Sequence, residues 1–266
     1  MSASGGTHAR TFGQGDRKAL AIHCTLAHSG AWRGVGAALA DRLTLLAIDL
    51  PGHGKSDDWN GQDDLHALCT AAALRHLTAP MDLIGHSFGA TVALRLAVEH
   101  PHLVRSLTMI EPVFFAAAIV DAPDRMTAHE EEAAPYFEAL AEGDTLQAAR
   151  LFNRLWGDGT KWDDIPEVTR RYMADRMRIV PGQAAAIIKD NAEIMASGAL
   201  KTAAMPALLL EGAETLDIIR AVHDSLAARL PDVRRVCIAG AGHMSPITHP
   251  QAVAQAIGDL LDVAEE

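Results

Sequence analysis

"MDLIGHSFGATVALRLA", residues 81–97, joins an apolar run to a helical pattern through a serine set between two glycines. Residues 81–86 form an apolar run that reads as a short buried strand. Behind it Ala90, Ala93, Leu94 and Ala97 recur at helical spacing. Between the two, Gly85 and Gly89 stand two residues before and two after Ser87. A sharp strand-to-helix turn lifts a serine clear of its sheet and crowds those two flanking positions, so both must be small. The helix that follows aims free backbone N–H groups and its positive dipole end at the same place. A serine held there becomes a nucleophile once a base takes its proton.

Outward from this turn, apolar strand-like runs alternate with helical patterns. Strands are expected at 18–24, 43–50, 103–112, 205–212 and 233–240. Helical patterns occupy 30–42, 63–78, 218–230 and 250–266; the glycines of the first weaken it, and Pro250 suits a helix start. Near-continuous apolar strands separated by helices indicate a mostly parallel, doubly wound α/β sheet covered on both faces. Residues 113–204 break the rhythm. They offer no strand, and helical patterns run over 144–156, 166–180 and 181–195, with "WGDGTKW" (156–162) as a loop. The expected division is a core of residues 1–112 and 205–266 carrying a helical cap of residues 113–204.

The 266 residues hold 23 Lys plus Arg against 34 Asp plus Glu, a net charge of −11. An acidic chain without a basic cluster is not expected to bind nucleic acid or an anionic membrane. No apolar run approaches the roughly 20 residues of a membrane span. "MSASGGTHAR" (1–10) lacks the apolar segment of a secretory signal, so a cytoplasmic location is expected. Cys24, Cys69 and Cys237 are widely spaced and form no C-x-x-C pair. They read as buried free thiols in a reducing compartment, and no metal site is expected.

At this point the chain resembles the α/β-hydrolase superfamily, in particular the serine hydrolases that carry a helical cap. The resemblance spans about residues 18–262. It rests on "GHSFG" (85–89), on "DLPGHGKS" (49–56) after the preceding strand, and on "GAGHMSPITHP" (240–250) near the end. The pentapeptide alone arises by chance; its place between a strand and a helix, with the other two segments in order, makes it specific. The resemblance implies Ser87 as nucleophile and His243 as base, since the family runs serine, acid, histidine along the chain. Gly240 and Gly242 let the loop of His243 reach across. Of the 13 histidines most are bystanders. His249 reads as structural, His86 as packing, and His23 as a residue that holds its own loop.

The resemblance also implies an oxyanion hole from the backbone N–H of Phe88 and of Thr25. Relatives usually show His-Gly before the second donor, whereas this chain has His23-Cys24. Cys24 departs from the pattern and is read as a buried thiol in preference to a nucleophile. For the triad acid the family tends to place Asp three residues after a Gly. Here Thr215 follows Gly212 at that spacing, with Glu214 and Asp217 close by. A second placement in related hydrolases is the tip of the strand leading into the cap, which is Glu111 here. Glu111 is preferred, with Glu214 and Asp217 as the alternatives; a turn-capping carboxylate before Pro112 is the non-catalytic reading. Phe114, Phe115, Trp156, Met173, Met177 and Met195 are candidates to line an apolar acyl pocket.

The implied function is hydrolysis of a small carboxylic ester, lactone or thioester through an acyl-enzyme, with no cofactor. The expected partner is a small-molecule substrate, and the chain is expected as a monomer or homodimer. C–C bond hydrolysis, acyl transfer and perhydrolysis use the same triad. A non-catalytic ligand-binding module on the same fold is the reading from another class. Dehalogenase and epoxide hydrolase relatives need a carboxylate where Ser87 stands.

Overall fold

The computed structural model describes residues 6–264. Residues 1–5, part of the stretch read for a leader, and 265–266, the end of the expected last helix, lie outside the described residues. Seven strands form one sheet: β1 (Ala9–Phe12), β2 (Arg17–Ile22), β3 (Leu43–Ile48), β4 (Met81–His86), β5 (Val104–Ile110), β6 (Ala207–Gly212) and β7 (Val233–Ile238). Their spatial order is β1-β3-β2-β4-β5-β6-β7. Only β1 is antiparallel, on β3; every other pairing is parallel. The chain winds from β2 outward to β3 and then returns to β4 on the other side. The C-terminal ends of β2 and β4 therefore flank the point where the winding reverses, the usual place for a site in such sheets.

The helices of the core are α1 (Arg33–Ala38), α2 (Leu65–Leu74) and α3 (Phe88–Glu99). Between β5 and β6 come α4 (Phe115–Asp121), α5 (Pro123–Ala141), α6 (Thr145–Trp156), α7 (Glu167–Arg176), and the short turns α8 (Ile179–Gly182) and α9 (Ala184–Ile187). The chain closes with α10 (Asp217–Ala227), α11 (Ser245–Thr248) and α12 (Pro250–Leu261). One face of the sheet packs Leu20, Leu83 and Met109 against α2, α3 and α10, the other packs Leu45, Ile84 and Leu208 against α1 and α12. Strands covered on both faces are why 18–24, 43–50 and 81–86 read as unbroken apolar runs. The segment between β5 and β6 has its own cluster, from Ala133, Tyr136 and Ala149 to Met177 and Val180.

Three expectations need correction. The pattern at 181–195 is not one helix: only Ala184–Ile187 is a full α turn after α8. Asp190 and Glu193 take positive φ, at 47° and 55°. The Asp190 carboxylate accepts the backbone N–H groups of Ile194 (2.8 Å) and Met195 (2.7 Å). A short acidic side chain that bonds the backbone locally competes with the helix, and here it wins. Second, the pattern at 30–42 is a 3₁₀ turn at Ser29–Trp32 followed by a helix that ends at Ala38.

Third, Cys24 and Cys69 are buried, but Cys237 is exposed. It lies on the edge strand β7, where alternation turns Ile238 inward and Arg235 and Cys237 outward. Burial pushes the Cys24 thiol up to about 12 and raises that of Cys69 as well. Iodoacetamide on the native protein should therefore modify Cys237 and spare Cys24 and Cys69 until denaturant is added, as read by peptide mass mapping. Alkylation of Cys24 in the native state would contradict the burial described here.

Candidate active site

Ser87 sits between β4 and α3 with φ 56° and ψ −120°, a conformation that L-residues rarely hold. Its backbone N–H is anchored on the carbonyl of Ile110 at 2.8 Å. The flanking glycines are required by close approach. A Cβ on Gly85 would lie 2.4 Å from the Gly89 carbonyl oxygen, and one on Gly89 would lie 2.3 Å from that of Ile22. The turn is thus pressed against both the end of β2 and the start of α3.

His243 arrives on the loop between β7 and α11. Its Nε2 is 3.0 Å from the Ser87 Oγ and its Nδ1 is 3.1 Å from Glu111 Oε2. Glu111 is fully buried (0% exposed) just past the tip of β5, with φ 51°. Its Oε1 accepts the Gly212 N–H at 2.7 Å, and its Oε2 accepts the hydroxyl of Thr215. Burial by itself pushes this carboxyl up. The hydrogen bond and charge of His243, with the bonds from Thr215 and Gly212, outweigh it and hold the carboxyl below its usual range. An ionised carboxylate can only accept. The imidazole proton therefore lies on Nδ1, toward Glu111, and Nε2 offers a lone pair to the serine hydroxyl.

The alternative acids lie elsewhere. Glu214 is exposed, and Asp217 is exposed and paired with Arg125 at 3.2 Å. Thr215 occupies the spacing where relatives carry the acid, and it supports the carboxylate of Glu111 from there. His249 has its Nδ1 2.8 Å from the Thr248 hydroxyl.

His86 and His23 have positions that sequence reasoning described only as packing and loop-holding. His86 Nε2 donates to the carbonyl of His243 itself at 2.8 Å. Burial, then the neighbouring His243, lowers His86 to about 3, so the ring is neutral and free to act as that donor. His23 bridges two strand ends: its Nδ1 is 2.7 Å from the Cys24 carbonyl, and Nε2 accepts the Leu50 N–H at 2.9 Å. Burial lowers it to about 4, in keeping with a neutral ring that both donates and accepts. The signal for both was their position at a strand end; the partner could not be read from it.

The loop after β2 resolves the substitution of Cys24 for glycine. Cys24 does not take positive φ; Leu26 does, at 61°. The turn closes through the Ala27 N–H to the Cys24 carbonyl at 3.2 Å. Cys24 needs no left-handed backbone, so a side chain is tolerated there. Among the described residues, no turn or loop hydrogen bond uses the Thr25 N–H. The Thr25 hydroxyl accepts from Gln183 Nε2 at 2.9 Å, which ties this loop to α8 and α9. Phe88 is the first residue of α3, so its N–H has no intrahelical partner.

These groups open on a cavity of about 430 Å³ that Ser87, His243 and Thr25 line together with the inserted helices. Its apolar walls include Phe115 and Trp156, as expected, with Met126, Phe152, Val180 and Ile187. Phe114 and Met177 are instead fully buried in packing, Met173 lines a neighbouring groove, and Met195 packs against the core. Trp156 lies edge-on to His243, with ring centres 4.7 Å apart. The neighbouring groove, about 850 Å³, shares Thr25, Phe152, Trp156 and Met244 with the cavity and adds polar groups such as Arg33, Lys55 and Asp158.

The sequence model of the alpha/beta hydrolase family matches residues 19–256. The chain belongs to the α/β-hydrolase family. Among its curated relatives, a pimeloyl-[acyl-carrier protein] methyl ester esterase of Nitrosomonas europaea is 29% identical over 252 residues, covering 92% of this chain and 95% of that one. Two solved α/β structures show the same fold. A thermophilic esterase from Thermogutta terrifontis superposes with TM-score 0.71 at 22% identity, covering 98% of this chain and 94% of its own. A haloalkane dehalogenase loop variant from Bradyrhizobium elkanii superposes with TM-score 0.73 at 22% identity, over 98% and 94%. Esterase and dehalogenase thus share this α/β-hydrolase framework, and the reaction has to be argued from the residues at the turn. Among the described residues, no group of three or more His, Cys, Asp or Glu is placed to hold a metal ion, and no helix is long and apolar enough to cross a membrane.

Proposed function

We propose that this α/β-hydrolase cleaves a small carboxylic ester, lactone or thioester through an acyl-enzyme on Ser87. The observation that carries the reading is the unbroken chain Ser87 Oγ, His243, Glu111, at 3.0 and 3.1 Å. Ser87 attacks the carbonyl while His243 Nε2 takes its proton. Glu111 stabilises the imidazolium through Nδ1–H. The backbone N–H groups of Thr25 and Phe88 receive the negative oxygen. His243 then gives its proton to the departing alkoxide or thiolate. Water, deprotonated by the same nitrogen, attacks the acyl carbon and returns the serine.

The acyl group occupies the apolar cavity under the inserted helices, which act as a cap. The leaving group extends into the more polar groove. An ester is further supported by the Nitrosomonas relative, whose name is that of a methyl ester esterase. A serine at the turn disfavours dehalogenation, which needs a carboxylate there. The ligand-binding reading drew its support from Thr215 at the usual acid position, and the contact of Glu111 with His243 removes that support. The test is a chain-length series of nitrophenyl esters. A burst of nitrophenol followed by steady turnover supports the acyl-enzyme, and no turnover on any member contradicts it.

Glu111→Gln keeps the shape of the acid but lets its amide donate, which favours the wrong tautomer of His243. Turnover should fall by about 10⁴-fold while the circular dichroism spectrum is kept. Glu214→Gln should change kcat less than about threefold, because that side chain lies on the surface. The opposite ranking of the two variants would contradict the assignment of the acid.

A further inference from the structure

His129 lines the acyl cavity from α5 and is 4% exposed. It stands among rings: Phe115 is 4.8 Å away and Trp156 5.4 Å, centre to centre. Trp156 in turn touches His243. One indole therefore separates His129 from the proposed base. Its Nδ1 is buried without a hydrogen-bond partner. The nearest carboxylate, Glu132 Oε2, is 4.0 Å from that nitrogen, beyond bonding distance, and belongs to a side chain that is 55% exposed. Among the described residues Nε2 makes no hydrogen bond either, and unlike Nδ1 it is not fully buried. Buried polar atoms are normally paired, and an unpaired one in an apolar wall is costly. Among the other polar groups of the cavity, Gln183 is bonded to Thr25, Glu130 is exposed, and the Tyr136 hydroxyl has the Trp156 indole as its side-chain neighbour.

We propose that His129 is the polar recognition point of the acyl site, and that the acyl group bound there carries a neutral oxygen function, a ketone, ester carbonyl or hydroxyl, beyond an apolar stretch. This rests on the hydrolase reading above. With Nδ1 sealed on the Glu132 side, Nε2 is the nitrogen left for a ligand, and by choice of tautomer it donates to a carbonyl or accepts from a hydroxyl. Burial lowers this ring to about 4, which keeps it uncharged near neutral pH. No lysine or arginine lines the cavity, and the acidic Glu130 does. A free carboxylate on the acyl chain would therefore enter without a counter-charge and is disfavoured. A plain alkyl chain fits the apolar walls but leaves His129 unpaired.

The experiment compares nitrophenyl esters of matched acyl length that end in a methyl group, carry a ketone near the end, or end in a carboxylate. At the best chain length the keto ester should exceed the alkyl ester in kcat/KM by about tenfold, and the carboxylate ester should be the poorest. In His129→Leu the keto-to-alkyl ratio should fall close to one. In His129→Gln, which keeps a donor and an acceptor, most of the preference should remain. An unchanged ratio in His129→Leu overturns the proposal. So does a wild-type preference for alkyl or carboxylate esters at every length, which requires no variant to fold. The same esters are titrated against Ser87→Ala, with tryptophan fluorescence as the readout. If the wild type hydrolyses none of them, the hydrolase reading falls. The recognition proposal then stands on tighter binding of the keto ester and fails on equal dissociation constants.

Discussion

Ser87→Ala is expected to lower the turnover of a nitrophenyl ester by about 10⁶-fold, with the fold intact. The loss is large because the variant removes the atom that bonds to the carbonyl. Ser87 is buried where it lines the cavity, and among the described residues its hydroxyl bonds only to His243, so alanine leaves no strained packing behind. The positive φ at this position persists, because the glycines and the bond to the Ile110 carbonyl enforce it. Thermal unfolding should therefore shift little. A residual rate remains from the oxyanion donors and from binding. Turnover within tenfold of wild type in Ser87→Ala would mean that another group attacks.

His243→Ala should cost a similar amount, on the order of 10⁶-fold in kcat. Among the described residues, no second imidazole bonds the serine hydroxyl. His86 is the nearest other imidazole, but its Nε2 is committed to the backbone of His243, and burial keeps it neutral. His249→Ala is expected to stay within a few-fold, since its ring bonds Thr248 instead. The double variant Ser87→Ala, His243→Ala should lose little more than either single one, because the two residues act as a unit. Additive losses, or a larger effect from His249 than from His243, would contradict the arrangement.

The turn at Ser87 was legible because its demands are local. A strand, two glycines around a serine and a helix specify one geometry whatever surrounds them, and Gly85 and Gly89 meet backbone at distances that allow no Cβ. The parallel sheet was legible for the same kind of reason, as burial on both faces writes itself as unbroken apolar runs. Strand β1 was not, because four residues on an edge carry too little pattern to stand out. The candidate acid could be narrowed to Glu111, Glu214 and Asp217, since all three lie near strand ends. Choosing among them depends on which carboxylate faces His243, a tertiary fact. The break at Asp190 was missed because alanine and isoleucine before it read as helix, while the competing side-chain bonds form only in the turn.

The cavity walls were legible only in part. Phe115 and Trp156 were named correctly, but Phe114 and Met177 turn into packing. Composition shows which residues are apolar, not which side of a helix meets an empty space. The unpaired state of His129 is likewise invisible in sequence, for a histidine in a helix is ordinarily exposed or bonded.

The most direct measurement is labelling with a fluorophosphonate followed by peptide mass mapping. A phosphonate mimics the tetrahedral stage of acyl transfer and bonds to a serine only when a base activates it. The account predicts one adduct per chain, on Ser87 within residues 81–97, with ester turnover lost in step with labelling and no adduct in His243→Ala. An adduct on any other residue, or full ester turnover in protein that takes no label, would contradict it.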